Sequence, residues 1–165
     1  MALIDLVWKD FADAKYGDEY MILYTSKHQG VRKALKFIIL ICSSVGVFTA
    51  FKEAKAPTII LCIATCVAQL LSVVESSIIC SEKEIDEFRK LRLLYCNYTA
   101  GLERLFYCLF EETTTIEDGT AEYHRLKDHK NLVIEPADTA LDIKRDKKLM
   151  DIAETNTANY LKRYA

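Results

Sequence analysis

Two apolar blocks joined by a short hydrophilic link constrain this chain more than any other feature. The first is FIILICSSVGVFTAF, Phe37–Phe51, preceded by Ala34, Leu35 and Lys36. The second runs from Ala56 to Ser81 with Glu75 as its only charge, and KEAKAP lies between them. A hydrocarbon core about 30 Å thick takes about 20 helical residues at about 1.5 Å each. The second block meets that length with some tilt. The first meets it if its helix starts near Ala34 and Lys36 snorkels to the interface. The link admits only a tight hairpin, and Pro57 suits the first turn of a helix, where its missing N–H is harmless. The first block follows a long charged segment, which excludes a signal peptide. A buried helix of a water-soluble bundle would carry a charged outer face, and neither block has one. The expected fold is an all-α membrane protein. Its two transmembrane helices, about 34–51 and 56–79, form a hairpin within residues 34–81. An N-terminal cytoplasmic helical segment (1–33) precedes it. A C-terminal cytoplasmic helical region (82–165) follows, with the second span continuous with its long first helix.

Lys27, Arg32, Lys33 and Lys36 precede the first span, and Lys83, Arg89, Lys90 and Arg92 follow the second. The hairpin carries only Lys52 and Lys55. Positive residues stay on the cytoplasmic side, so both termini are expected there. Only two prolines and five glycines occur, too few for the frequent turns of an all-β fold. A formal net charge of −2 gives no global case for nucleic-acid binding. Six cysteines fall in or beside the apolar blocks or on helix-like sequence, without zinc-site spacing, and suit a reducing compartment.

Outside the blocks, Leu3, Leu6, Val7, Phe11 and Ala14 share one helical face, and Gly17 and Gly30 mark candidate breaks. Ile85, Phe88, Leu91, Tyr95, Tyr98, Leu102, Leu105 and Leu109 step by three or four. They predict a helix reaching about Phe110, whose stripe must be covered by its own chain or by another copy. EETTTIEDG, Glu111–Gly119, reads as a loop. A helix from about Thr120 to Asn131 and an extended link ended by Pro136 follow. A last helix is capped by Asp138 or Thr139. Lys144, Arg145, Lys147 and Lys148 form a basic run, either a solvated helix face or a contact for anionic lipid or an acidic partner.

No catalytic constellation stands out: there is no Gly-rich phosphate loop, and His28, His124 and His129 are isolated. No enzyme activity, cofactor or metal is expected. Attention falls instead on a polar stripe within the second span. Thr58, Cys62, Thr65, Gln69, Ser72 and Ser76 step by four or three and share one face. The Gln69 amide needs partners or water in hydrocarbon. Glu75, beside Ser76, is an intramembrane ionisable group. Either the stripe packs on the first span, where Cys42, Gly46 and Ala50 form a small-xxx-small face, or several copies assemble and it lines a polar passage. In the second case Glu75 sets cation preference near the cytoplasmic mouth.

Three stretches together resemble the SLATT domains, bacterial two-transmembrane proteins of nucleotide-signalled conflict systems. They are AKYGDEYMILYTSKHQGVRKALKF, the hairpin KEAKAP, and LSVVESSIICSEKEIDEFRKLRLLYCNYTAGLERLF. The resemblance covers roughly residues 10–165. It implies an effector that oligomerises and permeabilises or depolarises the bacterial inner membrane in antiphage defence. The implied trigger is a sensor protein encoded nearby, of nucleotide-generating, nucleotide-binding or reverse-transcriptase type. A histidine common in the family's cytoplasmic helix has no counterpart here, where Phe88 and Arg89 stand. The alternative is a non-conducting membrane anchor or scaffold that recruits a cytoplasmic partner.

Overall fold

The computed structural model describes residues 2–50, 67, 81–141 and 143–164, with the side chains of 42–50 excepted. Among the described residues the chain is helical and has no strand. Helix α1 spans Leu3–Ala50, α2 Glu82–Phe110 and α3 Ile116–His129. A wide π turn, Lys130–Ile134, joins α3 to α4, Glu135–Ala140. Helix α5 spans Lys147–Leu161 and runs into a 3₁₀ turn, Lys162–Tyr164. The chain divides into two compact units, Met1–Thr25 with Asp86–Ala165, and Ser26–Ile85. Among the described residues no helix is long and apolar enough to cross a membrane. The second candidate span, about 56–79, lies outside the described residues except Val67, and the first is described with side chains only as far as Ile41.

The first unit buries one apolar face from each long helix. Val7, Phe11, Ala14 and Met21 of α1 meet a core completed by Leu91, Tyr98, Leu102 and Leu105 of α2, with Tyr123, Leu126, Ile134 and Ala153 from the later segments. Val7, Phe11 and Leu102 have no solvent exposure. Each buried side chain of that size contributes about 1.5–3 kcal/mol by leaving water. An aromatic cluster closes one end. The Tyr164 ring lies 5.6 Å from Phe11, 6.1 Å from Trp8 and 6.4 Å from Phe106, and Glu103 accepts hydrogen bonds from the Tyr160 and Tyr164 hydroxyls.

Five expectations are corrected. Helix α2 does not run unbroken out of the residues before it, because Ser81 is non-helical and caps a fresh helix start. The Ser81 hydroxyl accepts the Glu84 N–H at 3.2 Å, and the Glu84 carboxylate accepts the Ser81 N–H at 2.6 Å. This Ser-x-x-Glu capping box was present in the sequence as SEKE and signals a start. Gly17 and Gly30 do not break α1, which runs through both. At Gly17 an added Cβ would lie 2.7 Å from the Tyr95 ring, so glycine serves close approach there.

The loop after α2 is shorter than Glu111–Gly119. Glu112, at φ 54°, turns the chain in the left-handed region, with Thr113 N–H donating to the Cys108 carbonyl and Glu112 N–H to that of Leu109. Thr115 then accepts the Asp118 N–H at 3.1 Å and starts α3, which places Asp118 and Gly119 inside the helix. Pro136 ends no extended link, since it sits in the first turn of α4, where no N–H is required. The π turn carries the chain into it, with Glu135 N–H reaching the Lys130 carbonyl. Finally, Asp146 and not Asp138 or Thr139 caps the last helix, accepting the Lys148 N–H at 2.9 Å. Thr139 lies within α4 and bonds back to the Glu135 carbonyl at 2.8 Å. Lys144 and Arg145 therefore precede the cap, and only Lys147 and Lys148 are on the helix, so the basic run is not one helix face.

Candidate functional site

Thr58, Cys62, Thr65, Gln69, Ser72, Glu75 and Ser76 lie outside the described residues. Cys42, Gly46 and Ala50 lie on the backbone of α1, with side chains outside the description. Phe88, Leu91, Tyr98, Leu102 and Leu105 are buried within the chain's own first unit, Tyr95 and Leu109 are half-buried there, and Ile85 is buried in the second unit. The cover of the α2 stripe is the molecule itself.

In the second unit, Glu82 at the start of α2 receives two cations of α1. Arg32 reaches it at 3.0 Å and Lys36 at 3.1 Å. The Lys36 hydrogen bond, with the Arg32 and Lys36 charges, holds the Glu82 carboxyl below its usual value. The Ser81 backbone bond does the same for Glu84. Beyond this pair residues 37–41 of α1 are all apolar. Phe37, Ile38, Leu40 and Ile41 are 63%, 44%, 61% and 48% exposed, and Ile39 is half-buried. Five successive residues at about 100° per residue circle the whole helix, so this segment has no polar side.

The first unit contains a cavity of about 470 Å³ between α1, α2, α4 and the linker ahead of α5. Its construction begins at Gly17. The Tyr95 ring lies against the α1 backbone there, and both residues line the cavity. Tyr20 also lines it. Its hydroxyl donates to the Lys144 carbonyl at 3.3 Å and accepts the Asp146 N–H at 3.0 Å, pinning the linker that carries Ile143 and Arg145. Tyr16, Tyr95 and Tyr98 supply ring surface, and Asp13, Lys130, Asp138 and Arg145 supply charge. Lys130 pairs with Glu135 at 3.5 Å. Burial raises the Asp138 carboxyl despite the opposing Arg145 charge. Burial, then the Asp138 and Glu135 charges, push the Tyr95 hydroxyl up to about 12.

Sequence reasoning missed this cavity. Its residues come from four separate stretches, and no single stretch carries a ligand-binding spacing. The only local signal was Gly17, read as a break rather than as a contact. Cys96 is exposed and Cys108 half-buried, both with free thiols, and the described residues hold no cluster able to bind a metal ion. No protein-family model matches the chain, and neither the curated proteins nor the solved structures yield a match.

Proposed function

We propose that the chain is a bacterial inner-membrane effector that oligomerises and permeabilises or depolarises the membrane in antiphage defence, with a partner sensor as its trigger. The supporting observation is the exposed apolar girdle of Phe37–Ile41, continuous with the folded first unit through α1. A helix segment apolar on every side and largely exposed is suited to lipid. The polar stripe from Thr58 to Ser76 supplies side chains that lipid disfavours, and facing other copies gives them partners. The resemblance to SLATT domains supports the same reading. Both termini are proposed to be cytoplasmic, with Arg32, Lys36 and Glu82 at the inner surface.

A second reading, a non-conducting anchor that recruits a cytoplasmic partner, draws on the covered α2 stripe. A stripe buried inside the chain is no longer available to join copies. A potential-sensitive dye during overexpression separates the two. The effector collapses the membrane potential, and Gln69→Leu restores it at equal membrane abundance. An undisturbed potential with the intact chain removes the effector reading and leaves the anchor. Recovery of the chain in the aqueous fraction without detergent removes both.

A further inference from the structure

The cavity of the first unit is lined by two opposite charges that feel each other without forming an ion pair. Arg145 and Asp138 both line it, yet among the described residues neither makes an ion pair. Asp138 is half-buried, and burial makes its ionised form costly. Arg145 comes from the linker that Tyr20 pins in place. Lys130 is already engaged by Glu135. The rings of Tyr16, Tyr95 and Tyr98, with Met150, line the same cavity.

The size, about 470 Å³, falls in the range of small-molecule sites, about 300–1,000 Å³. Flat aromatic walls favour a flat aromatic guest. A cation and an acid that share one cleft without an ion pair favour a guest carrying the opposite pair of charges. The π turn that carries Lys130 of the cavity wall is a distortion common at binding sites.

We propose that this cavity binds a small amphoteric molecule with a planar aromatic body. Its anionic group meets Arg145, its ammonium or N–H-donating amino group meets Asp138, and its ring lies among the tyrosines. Free aromatic amino acids and amino-substituted nucleotides share that chemistry. The cavity lies wholly within one compact unit, so the proposal stands apart from the membrane reading.

The test uses the full-length chain in mild detergent, titrated calorimetrically with L-tryptophan and with AMP. At least one probe saturates with a Kd tighter than about 1 mM, and which one does so identifies the source. Tryptamine and indole-3-propionate, or adenosine in place of AMP, each lack one charge and bind at least about tenfold more weakly, about 1.4 kcal/mol. Arg145→Gln and Asp138→Asn each weaken the probe by a similar factor while the far-ultraviolet dichroism stays helical. Arg145 is exposed and makes no ion pair, so its variant folds. Absence of saturation by either probe overturns the proposal. Equal binding of the singly charged analogues, or unchanged binding by both variants, also overturns it.

Discussion

The same substitution at two buried tyrosines of the core should change stability in opposite directions. Tyr98 is 2% exposed, and its hydroxyl has no hydrogen-bond partner among the described residues. Tyr123 is 8% exposed, but its hydroxyl donates to the Asp10 carboxylate at 2.9 Å. A buried hydroxyl without a partner costs about 1–3 kcal/mol, partly offset by the packing its oxygen supplies, so Tyr98→Phe should stabilise by about 1 kcal/mol. A hydrogen bond to a charged group contributes about 1.5–3 kcal/mol. Lys127 still holds Asp10 at 2.6 Å in the variant, so Tyr123→Phe should cost the lower part of that range, about 1.5 kcal/mol. The two variants should therefore differ by about 2.5 kcal/mol, or about 5–10 °C in midpoint for a chain this long. Urea unfolding followed by circular dichroism measures both, provided the slope is unchanged. If Tyr98→Phe destabilises as much as Tyr123→Phe, the Tyr98 hydroxyl has a partner and the reasoning fails.

Alkali should destabilise the intact chain. Burial raises both Tyr95 and Tyr98 above their ordinary value of 10.0. A raised folded value contributes stability below the unfolded value and loses it as pH climbs toward the folded one, so stability should fall between pH 10 and about 12. Tyr98→Phe should blunt that fall in a pH-dependent melt. Gly17→Ala drives a methyl into the Tyr95 ring, whereas nothing lies within 4 Å of a Cβ at Gly30. Gly30→Ala should thus stabilise by up to about 1 kcal/mol, and Gly17→Ala should destabilise by about 1 kcal/mol, both read from denaturant midpoints. Glu112→Gly relieves a left-handed non-glycine residue and should stabilise by about 0.5–1 kcal/mol in the same assay. Ser81→Ala should cost about 1 kcal/mol through the lost cap, measured as faster amide exchange at Lys83–Ile85. Acid should do the same to the intact chain, since the lowered folded value of Glu84 keeps its contribution above the usual carboxylate range and loses it as pH falls through the folded one.

Helical class and the buried faces of the first unit were legible from sequence because both follow from spacing alone. Val7, Phe11 and Ala14, or Leu91, Tyr98, Leu102 and Leu105, recur every three or four residues, and that period places them on one side of a helix. Boundaries were less legible where two local signals conflict. Asp118-Gly119 is a turn dipeptide in isolation, yet Thr115 three residues ahead of Asp118 makes it the first turn of a helix. Ser81 was read as the end of an apolar run, although Glu84 behind it marks a beginning. Pro136 is a breaker only inside a helix, and the π turn ahead of it moved it to a helix start.

By itself the sequence determined that this chain is helical, that an apolar girdle follows Lys36, and that a polar stripe interrupts the second apolar block. Those are properties of residue order along one axis. Tertiary structure alone decided that the α2 stripe is covered from within and that Tyr95 rests on Gly17. It also brought Asp138 of α4 and Arg145 of the linker after it to one cavity. Such features depend on which faces of different helices meet, and no periodicity within one segment encodes the partner of that segment.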